Sequence, residues 1–376
     1  MMKRWIACGI SGLVSVQAMG SGLAPDYGVD FVTIGDPGNR SPEGDELHYP
    51  FGPPQGSVEY EYRISKYELT IREHLEFANA YAPIYFQNNP DIFIAAFEFS
   101  GGYLLIDRNQ IGPRGTNLDR ATDIGWEYLA RYVNWLHHGK VNEEWAFESG
   151  VFDLSTFVER DDEEWAPQEA RSEGSRYWIP TRSEWEKAAY WDPNKEGDGV
   201  GGYWLYPNST DQALLPNRLA SEGGQRNSGD DASIFPLSVG SYPEQESPWG
   251  LLDMAGGESE WDAKFIPLPR GFHSRGRKGS DWRNTFYNVP FNQYDIDLDR
   301  RGNGLAVPAG SVLGARIATS VYMPADLNFD GEINYFDISI FISSLLAGNS
   351  RADFRLDGQF DIDDINVFIG LLGLER

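Results

Sequence analysis

The chain has 376 residues with 57 acidic against 31 basic side chains, a formal net charge of −26, and it carries 41 Gly, 22 Pro and 12 Trp. That length allows one large domain and one small one, and the Gly, Pro and Trp content points to a loop-rich fold. The acidic balance disfavours phosphate backbones and anionic membrane surfaces as partners and favours cations.

Met1 to Arg4 forms a basic n-region, Trp5 to Val16 an apolar run diluted by Gly and Ser, and Val16-Gln17-Ala18 fits a small-residue cleavage site. Residues 1–18 are therefore expected to be a signal peptide, with the mature protein secreted, periplasmic or at the cell surface. No later segment approaches the roughly twenty apolar residues of a transmembrane helix. Cys8, the single cysteine, would leave with the signal, so no disulfide, thiol nucleophile or thiolate ligand is expected in the mature chain.

Val29 to Ile34 reads as a first strand and Asp36-Pro37-Gly38-Asn39 as a turn. Val58 to Tyr67 alternates as a second strand, after which Thr70 caps a helix with Glu73 three residues on. Leu75, Phe77, Ala78 and Tyr81 supply its buried side. Phe93 to Ile106 is β-like with a break at Gly101-Gly102. Asp123 to His138 forms an amphipathic helix through Trp126, Leu129, Val133 and Leu136, and the His137-His138 pair before Gly139 reads as a cap placed favourably against the helix dipole. Glu143 to Glu173 is acidic and irregular, with Asp161 to Glu164 a solvated face. In YWIPTRSEWEKAAY, Pro180 ends a strand, Thr181 and Glu184 complete a capping box, and Trp185, Ala188 and Ala189 point inward. Residues 192–246 are mostly loop. Helices set among short strands and long connections indicate an α+β fold, not a parallel α/β sheet.

Ser247 to Trp261, SPWGLLDMAGGESEW, packs a turn, two Trp, a Gly pair and three carboxylates into fifteen residues. Trp249, Leu251 and Leu252 look anchored. Asp253, Glu258 and Glu260 flank glycines that let main-chain carbonyls approach a ligand, and such oxygens suit a hard cation such as calcium. The same letters also describe a solvated acidic turn between strands. Elsewhere His48, His74, His137, His138 and His273 show no HxxxH or HExxH spacing, no GxSxG motif is present, and Arg275, Arg277 and Lys278 read as exposed counter-ions to the acidic surface.

EYRISKYELT, RYVNWLHHGK, YWIPTRSEWEKAAYWDP, SPWGLLDMAGGESEW, RGRKGSDWRN and LGARIATS, in that order, resemble the formylglycine-generating enzyme (sulfatase-modifying factor) family over residues 27–321. The resemblance implies one C-type-lectin-like α+β domain with little regular structure and with bound calcium. By similarity, one calcium site would use the Asp253 side chain, the main-chain carbonyls of Gly256 and Glu258, and the Glu260 carboxylate; a second would fall near Asn217. The family enzymes use a late cysteine pair for copper and substrate thiol, and this domain has none, which removes a copper(I) site of that kind. Family lettering has also drifted at Gly256-Gly257-Glu258-Ser259-Glu260-Trp261, at Lys278-Gly279-Ser280-Asp281-Trp282 and at Gly314-Ala315-Arg316-Ile317-Ala318. No catalytic residue is assigned.

Beyond Pro324 the pattern changes. DLNFDGEINYFD places oxygen donors at calcium-loop positions 1, 3, 5, 9 and 12 as Asp326, Asn328, Asp330, Asn334 and Asp337, with Gly331 at the sharp turn and the Glu332 carbonyl at position 7. An apolar helix, Ile338 to Leu346, follows. The unit repeats 27 residues later with Asp353, Asp357, Asp361 and Asp364 and the helix Ile365 to Leu372. Each helix alone exposes an apolar face, which is the physical reason for pairing two copies. Residues 324–376 resemble dockerin type I modules, a small all-α EF-hand pair that would dock a protein partner. Arg355 puts a cation where the second loop wants Asn or Asp, so that loop is expected to bind calcium weakly. The sequence thus predicts an exported calcium-binding protein without the family's catalytic cysteines, a binding or scaffold protein; the alternative is a metal-dependent oxidoreductase of the same family using chemistry other than cysteine.

Overall fold

The structure, a computed structural model, describes residues 26–46, 55–88, 94–99, 102–107, 110–113, 117–157, 168–211, 238–255, 257–267, 273–279, 307–308, 312–321, 325, 327, 334–354 and 359–371. The signal region 1–18, Asn217, Gly256, His48, Asp161 to Glu164, and the tail residues Asp326, Asn328, Asp330, Glu332, Arg355 and Asp357 lie outside the described residues.

Fourteen short strands and six α-helices appear among the described residues. A four-stranded antiparallel sheet runs β1 (Phe31–Ile34), β2 (Tyr62–Ser65), β14 (Ala318–Ser320), β7 (Tyr177–Trp178), with Val32 opposite Ile64 and Ile64 opposite Ala318. It brings residue 31 and residue 320 to one sheet, closing the large domain. β3 (Ile94–Phe99), β4 (Gly102–Asp107) and β5 (Gln110–Pro113) pair antiparallel in sequence, with Phe99 opposite Gly102. β6 (Ile124–Gly125) pairs with β13 (Val312–Leu313), β8 (Trp191–Asp192) with β9 (Gly202–Tyr203), and β10 (Glu260–Pro267) with β11 (His273–Lys278), which pairs in turn with β12 (Val307–Pro308).

The helices start where side-chain chemistry starts them. α1 (Ile71–Asn88) opens with the Thr70 N–H and hydroxyl donating to Glu73 Oε2 at 2.7 and 2.6 Å, and the Glu73 N–H returns to Thr70 Oγ1. α4 (Arg182–Tyr190) has the expected Thr181–Glu184 box, and Trp185, Ala188 and Ala189 are buried. α2 (Trp126–His137) buries the four positions read from its period. The segment after it is not simply irregular: α3 (Glu144–Glu148) and a 3-10 turn at Leu154–Phe157 carry Ala146, Phe147, Val151 and Phe152 into the core. Those apolar residues lack helical or strand periodicity, so the acidic letters between them dominated the reading.

The core is aromatic. Trp126, Trp185, Trp261, Tyr62, Tyr190 and Phe77 are fully buried, and Phe77 meets Tyr132, Trp135 and Phe147 at centroid distances of 5.5, 6.1 and 6.0 Å. Such rings contribute both area and preferred edge or offset geometry. His138 is the C-cap of α2, its N–H donating to the Asn134 and Leu136 carbonyls, so the cap position holds and burial changes only the charge. His137 and His138 are both buried; the His137 Nδ1 accepts from the Arg176 N–H at 3.1 Å and the His138 Nε2 meets the Ser149 carbonyl at 3.1 Å. Burial drives His137 well below its ordinary value and His138 down to about 4, so neither is the cation a dipole cap requires.

The tail has its own small core. α5 (Tyr335–Ala347) and α6 (Ile362–Leu371) meet through Phe341 and Phe368, stacked at 4.0 Å, with Phe354 edge-on to both. Ala325, Leu327 and Ala352 complete it. Both helices begin three residues earlier than the apolar letters indicate, because Asn334 and Asp361 cap them by accepting from the Phe336 and Asp363 N–H groups. The tail contacts the large domain: Arg351 pairs with Glu173 at 3.2 Å, and Arg176 donates to the Asp353 carbonyl at 3.3 Å.

Candidate functional site

The acidic loop between Ser247 and β10 is built from a tight turn. Ser247 Oγ accepts from the Trp249 and Leu251 N–H groups, the Gly250 N–H donates to the Ser247 carbonyl, and Gly250 sits at φ +85°. Leu251 and Leu252 are buried and Trp249 is half-buried, as their apolar character requires. Leu252 N–H donates to the Lys66 carbonyl at 3.0 Å, tying the loop to the end of β2. Asp253 follows at φ +58°, a left-handed conformation uncommon outside glycine, with its Oδ2 accepting from the Gly240 N–H. Local side-chain bonding is what lets an aspartate hold that backbone.

The carboxylates are not solvated. Asp253, Glu258 and Glu260 are 6%, 4% and 1% exposed, which removes the acidic-turn alternative. Glu260 Oε1 accepts from Arg316 Nε at 2.9 Å and Oε2 from Trp185 Nε1 at 2.8 Å. Arg316, itself fully buried, also donates to the Ser65 and Lys66 carbonyls at 3.1 and 2.7 Å and to the Leu252 carbonyl. Thus one guanidinium ties β2, the acidic loop and the chain before β14 together. Glu68 completes the group from the β2–α1 connection: it is 1% exposed, its Oε1 accepts from the Glu258 N–H at 2.8 Å, and its Oε2 makes no hydrogen bond. Burial, then the Glu260 and Asp253 charges, push the Glu68 carboxyl well above the carboxylate range, and burial raises Glu260 while Arg316 opposes it. Glu68, Asp253 and Glu260 therefore act on one another beside the Arg316 guanidinium, while the Glu258 charge acts on Arg120.

Sequence reasoning had marked Asp253, Glu258 and Glu260 and missed Glu68 and Arg316. Both stand inside the segments YELT and GARIA, yet nothing in their spacing ties them to a loop that lies 185 or more residues from one and 56 from the other. Among the described residues no three His, Cys, Asp or Glu side chains form a ready-made ligand cluster, and the expected carbonyl donor Gly256 is outside them. Both Glu260 oxygens and the Asp253 Oδ2 are already engaged as hydrogen-bond acceptors, while Glu68 Oε2 is buried without a hydrogen bond.

A second buried ionic group lies behind the loop. Arg182 pairs with Asp262 at 2.7 Å and Lys278 with Glu186 at 3.3 Å, all four side chains nearly inaccessible. This corrects the reading of the basic residues in β11. Lys278 and Arg275 are buried and Arg277 is half-buried. Arg275 stacks 3.7 Å over Trp126, donates to the Gln168, Glu169 and Ala263 carbonyls, and is brought down to about 9 by desolvation. A strand inside the domain can bury cations only by giving each such partners.

Beside α1 opens a cleft of about 530 Å³ lined by Tyr27, Tyr67, Glu68, Glu73, Glu76 and Asp119 among others. Its rim cations are engaged: Arg72 with Asp119 at 2.7 Å and Lys140 with Glu76 at 2.7 Å. In the tail, the two repeats place equivalent groups alike. Asp337 accepts from the Leu327 and Asn334 N–H groups at 2.7 and 2.8 Å, Asp364 from the Asp361 N–H at 3.0 Å, and both are buried, as is Asp353. Asp337 and Asp364 thus each stand at a helix start, whereas Asp353 follows the 3-10 turn Ser350–Ala352.

A family model described as the sulfatase-modifying factor enzyme 1-like domain matches residues 31–320. Among solved structures, CarF is similar at 15% identity and a TM-score of 0.42, covering 80% of this chain and 100% of its own. PvdO from Pseudomonas aeruginosa is similar at 16% identity and a TM-score of 0.38, covering 78% of this chain and 92% of its own. No curated protein sequence matches. From the sequence match over 31–320, the chain belongs to the sulfatase-modifying factor enzyme 1-like domain family.

Proposed function

We propose that this chain is an exported, calcium-stabilised binding or scaffold protein, with a sulfatase-modifying-factor domain that does not form formylglycine. The observation that carries it is the cysteine count. The single cysteine, Cys8, lies outside the matched domain, so the domain has neither a thiol to exchange with a substrate cysteine nor a soft ligand for copper(I). Calcium is the cation assigned to the acidic loop, held by Asp253, Glu260 and the main-chain carbonyls of Gly256 and Glu258; it would supply charge neutralisation in a buried, acidic place.

The tail is read as a dockerin-like EF-hand pair, residues 324–376. Its first loop, Asp326, Asn328, Asp330, Glu332, Asn334 and Asp337, is the stronger calcium site, and its second, Asp353, Asp357, Asp361 and Asp364, the weaker. Tyr335, Phe336, Ile342 and Leu346 of α5 are exposed apolar residues and form the face assigned to a protein partner. The acidic, tyrosine-lined cleft beside α1 is the face assigned to the large domain's own ligand, and its charge favours a cationic group.

Calcium should raise the melting temperature of the purified protein, because a ligand that binds the folded state alone stabilises it. Asp253→Ala and Asp326→Ala should each remove part of that rise. No change from either substitution would sink the calcium reading. Oxygen uptake with a sulfatase-derived cysteine peptide would sink the non-catalytic one.

A further inference from the structure

We propose that the tail is clasped to the large domain by two arginines, Arg351 and Arg176, each reaching across from its own unit, so that the apolar face of α5 is held in one orientation relative to the α1 cleft. The clasp does not depend on what that face binds; its use as a fixed mount rests on the partner reading above. Two short segments run against each other: Glu173 to Arg176, just ahead of β7 in the large domain, and Arg351 to Asp353, at the 3-10 turn Ser350–Ala352 between α5 and α6. Arg351 pairs with Glu173 at 3.2 Å and donates to the Leu327 carbonyl of its own unit, and Arg176 donates to the Asp353 carbonyl at 3.3 Å.

The large domain is shaped to receive Arg351. Gly174 stands at φ +80°, and a Cβ there would lie 2.8 Å from Arg351 Cγ and 3.0 Å from its Nε, so both the backbone conformation and the close approach call for glycine. Arg176 is set by its own main chain. Its N–H donates to His137 Nδ1 at 3.1 Å, and its carbonyl accepts from Thr319 Oγ1 at 2.7 Å and from the Ser320 N–H at 3.3 Å, which fixes it between the end of α2 and β14. An exposed ion pair by itself contributes little. Here the Arg351 side chain is 12% exposed and Asp353 is buried. Val321 and Ala325 are four residues apart, at most about 14 Å of extended chain, so the tail is confined near this surface before any contact forms. In the seated position Tyr335, Phe336, Ile342 and Leu346 stay exposed, so the clasp leaves the α5 face open.

Spin labels placed through Asn79→Cys on α1 and Ser339→Cys on α5, both exposed positions, test the clasp in the full chain carrying Cys8→Ser, because Cys8 is the single native thiol. Their separation is read by double electron–electron resonance. The parent should give one narrow distance distribution. Arg176→Met combined with Arg351→Met keeps the aliphatic stems and removes both guanidinium forks, and it should give a broad distribution while the melting temperature stays as in the parent. Glu173→Ala, at a side chain 76% exposed, guards against misfolding: it should widen the distribution in part with the melting temperature unchanged. A broad distribution in the parent would overturn the fixed seating. A narrow one in the double variant would overturn the arginines as its cause, and so would widening that appears only together with a lower melting temperature. No partner is present in this measurement, so its outcome is independent of whether α5 docks one.

Discussion

In the 253–260 loop the carboxylates sit inside the large domain's core, with Glu260 neutralised by Arg316 and bonded to Trp185. In the tail, Asp337 and Asp364 are equally buried, but they accept backbone N–H groups at helix starts under a core of three phenylalanines. The first arrangement holds distant segments of one domain together; the second closes a local unit of a few dozen residues. An acidic cluster is thus integral to a fold when its partners come from far along the chain, and local when they come from its own turn.

Arg316→Ala is the hardest test of that difference. It strands the Glu260 charge at 1% exposure and frees three carbonyls, so a loss of about 3–5 kcal/mol is expected by denaturant titration, with the whole large domain affected. A loss confined to one segment would break the contrast.

Phe341→Ala is the complementary change. It removes the ring stacked on Phe368 and should cost the tail about 3 kcal/mol. Hydrogen exchange is expected to accelerate in α5 and α6 and to stay unchanged in α1, α2 and α4. Acceleration in the large domain would show that the Arg351–Glu173 and Arg176–Asp353 contacts couple the two units more strongly than this contrast allows.

A smaller effect should come from pH. Burial holds His74 down to about 3 and His138 to about 4, below the ordinary 6.5. The folded state therefore excludes protons that the unfolded chain takes up. Their contribution is fully present above about 6.5 and is lost progressively as pH falls toward about 3. Both residues belong to the large domain, so unfolding midpoints read by its tryptophans should fall over this window, and replacing His74 by Leu should flatten the slope.

Much of the local structure was legible in the letters. The Thr70–Glu73 and Thr181–Glu184 boxes, the α2 stripe and the interruption of the β-like segment before Gly102 follow from contacts within a few residues, where spacing is geometry. The burial of the β11 cations and the neutral state of the histidine pair that caps α2 were not legible, because hydrophilic letters say nothing about the partners that permit burial. Asp253, Glu258 and Glu260 were visible as an oxygen-rich group, and the letters alone left open a solvated turn that their burial removes.

The sequence by itself determined the order of short elements, the absence of a cysteine from the matched domain, the repeat in the tail and which acids stand close together along the chain. Only the tertiary structure decided that Glu68 and Arg316 join the loop, and that Arg275 and Lys278 are interior cations. Capping boxes and repeats are set by covalent neighbours, whereas a buried charge depends on partners 56 to 251 residues away, brought close by packing that no local spacing encodes.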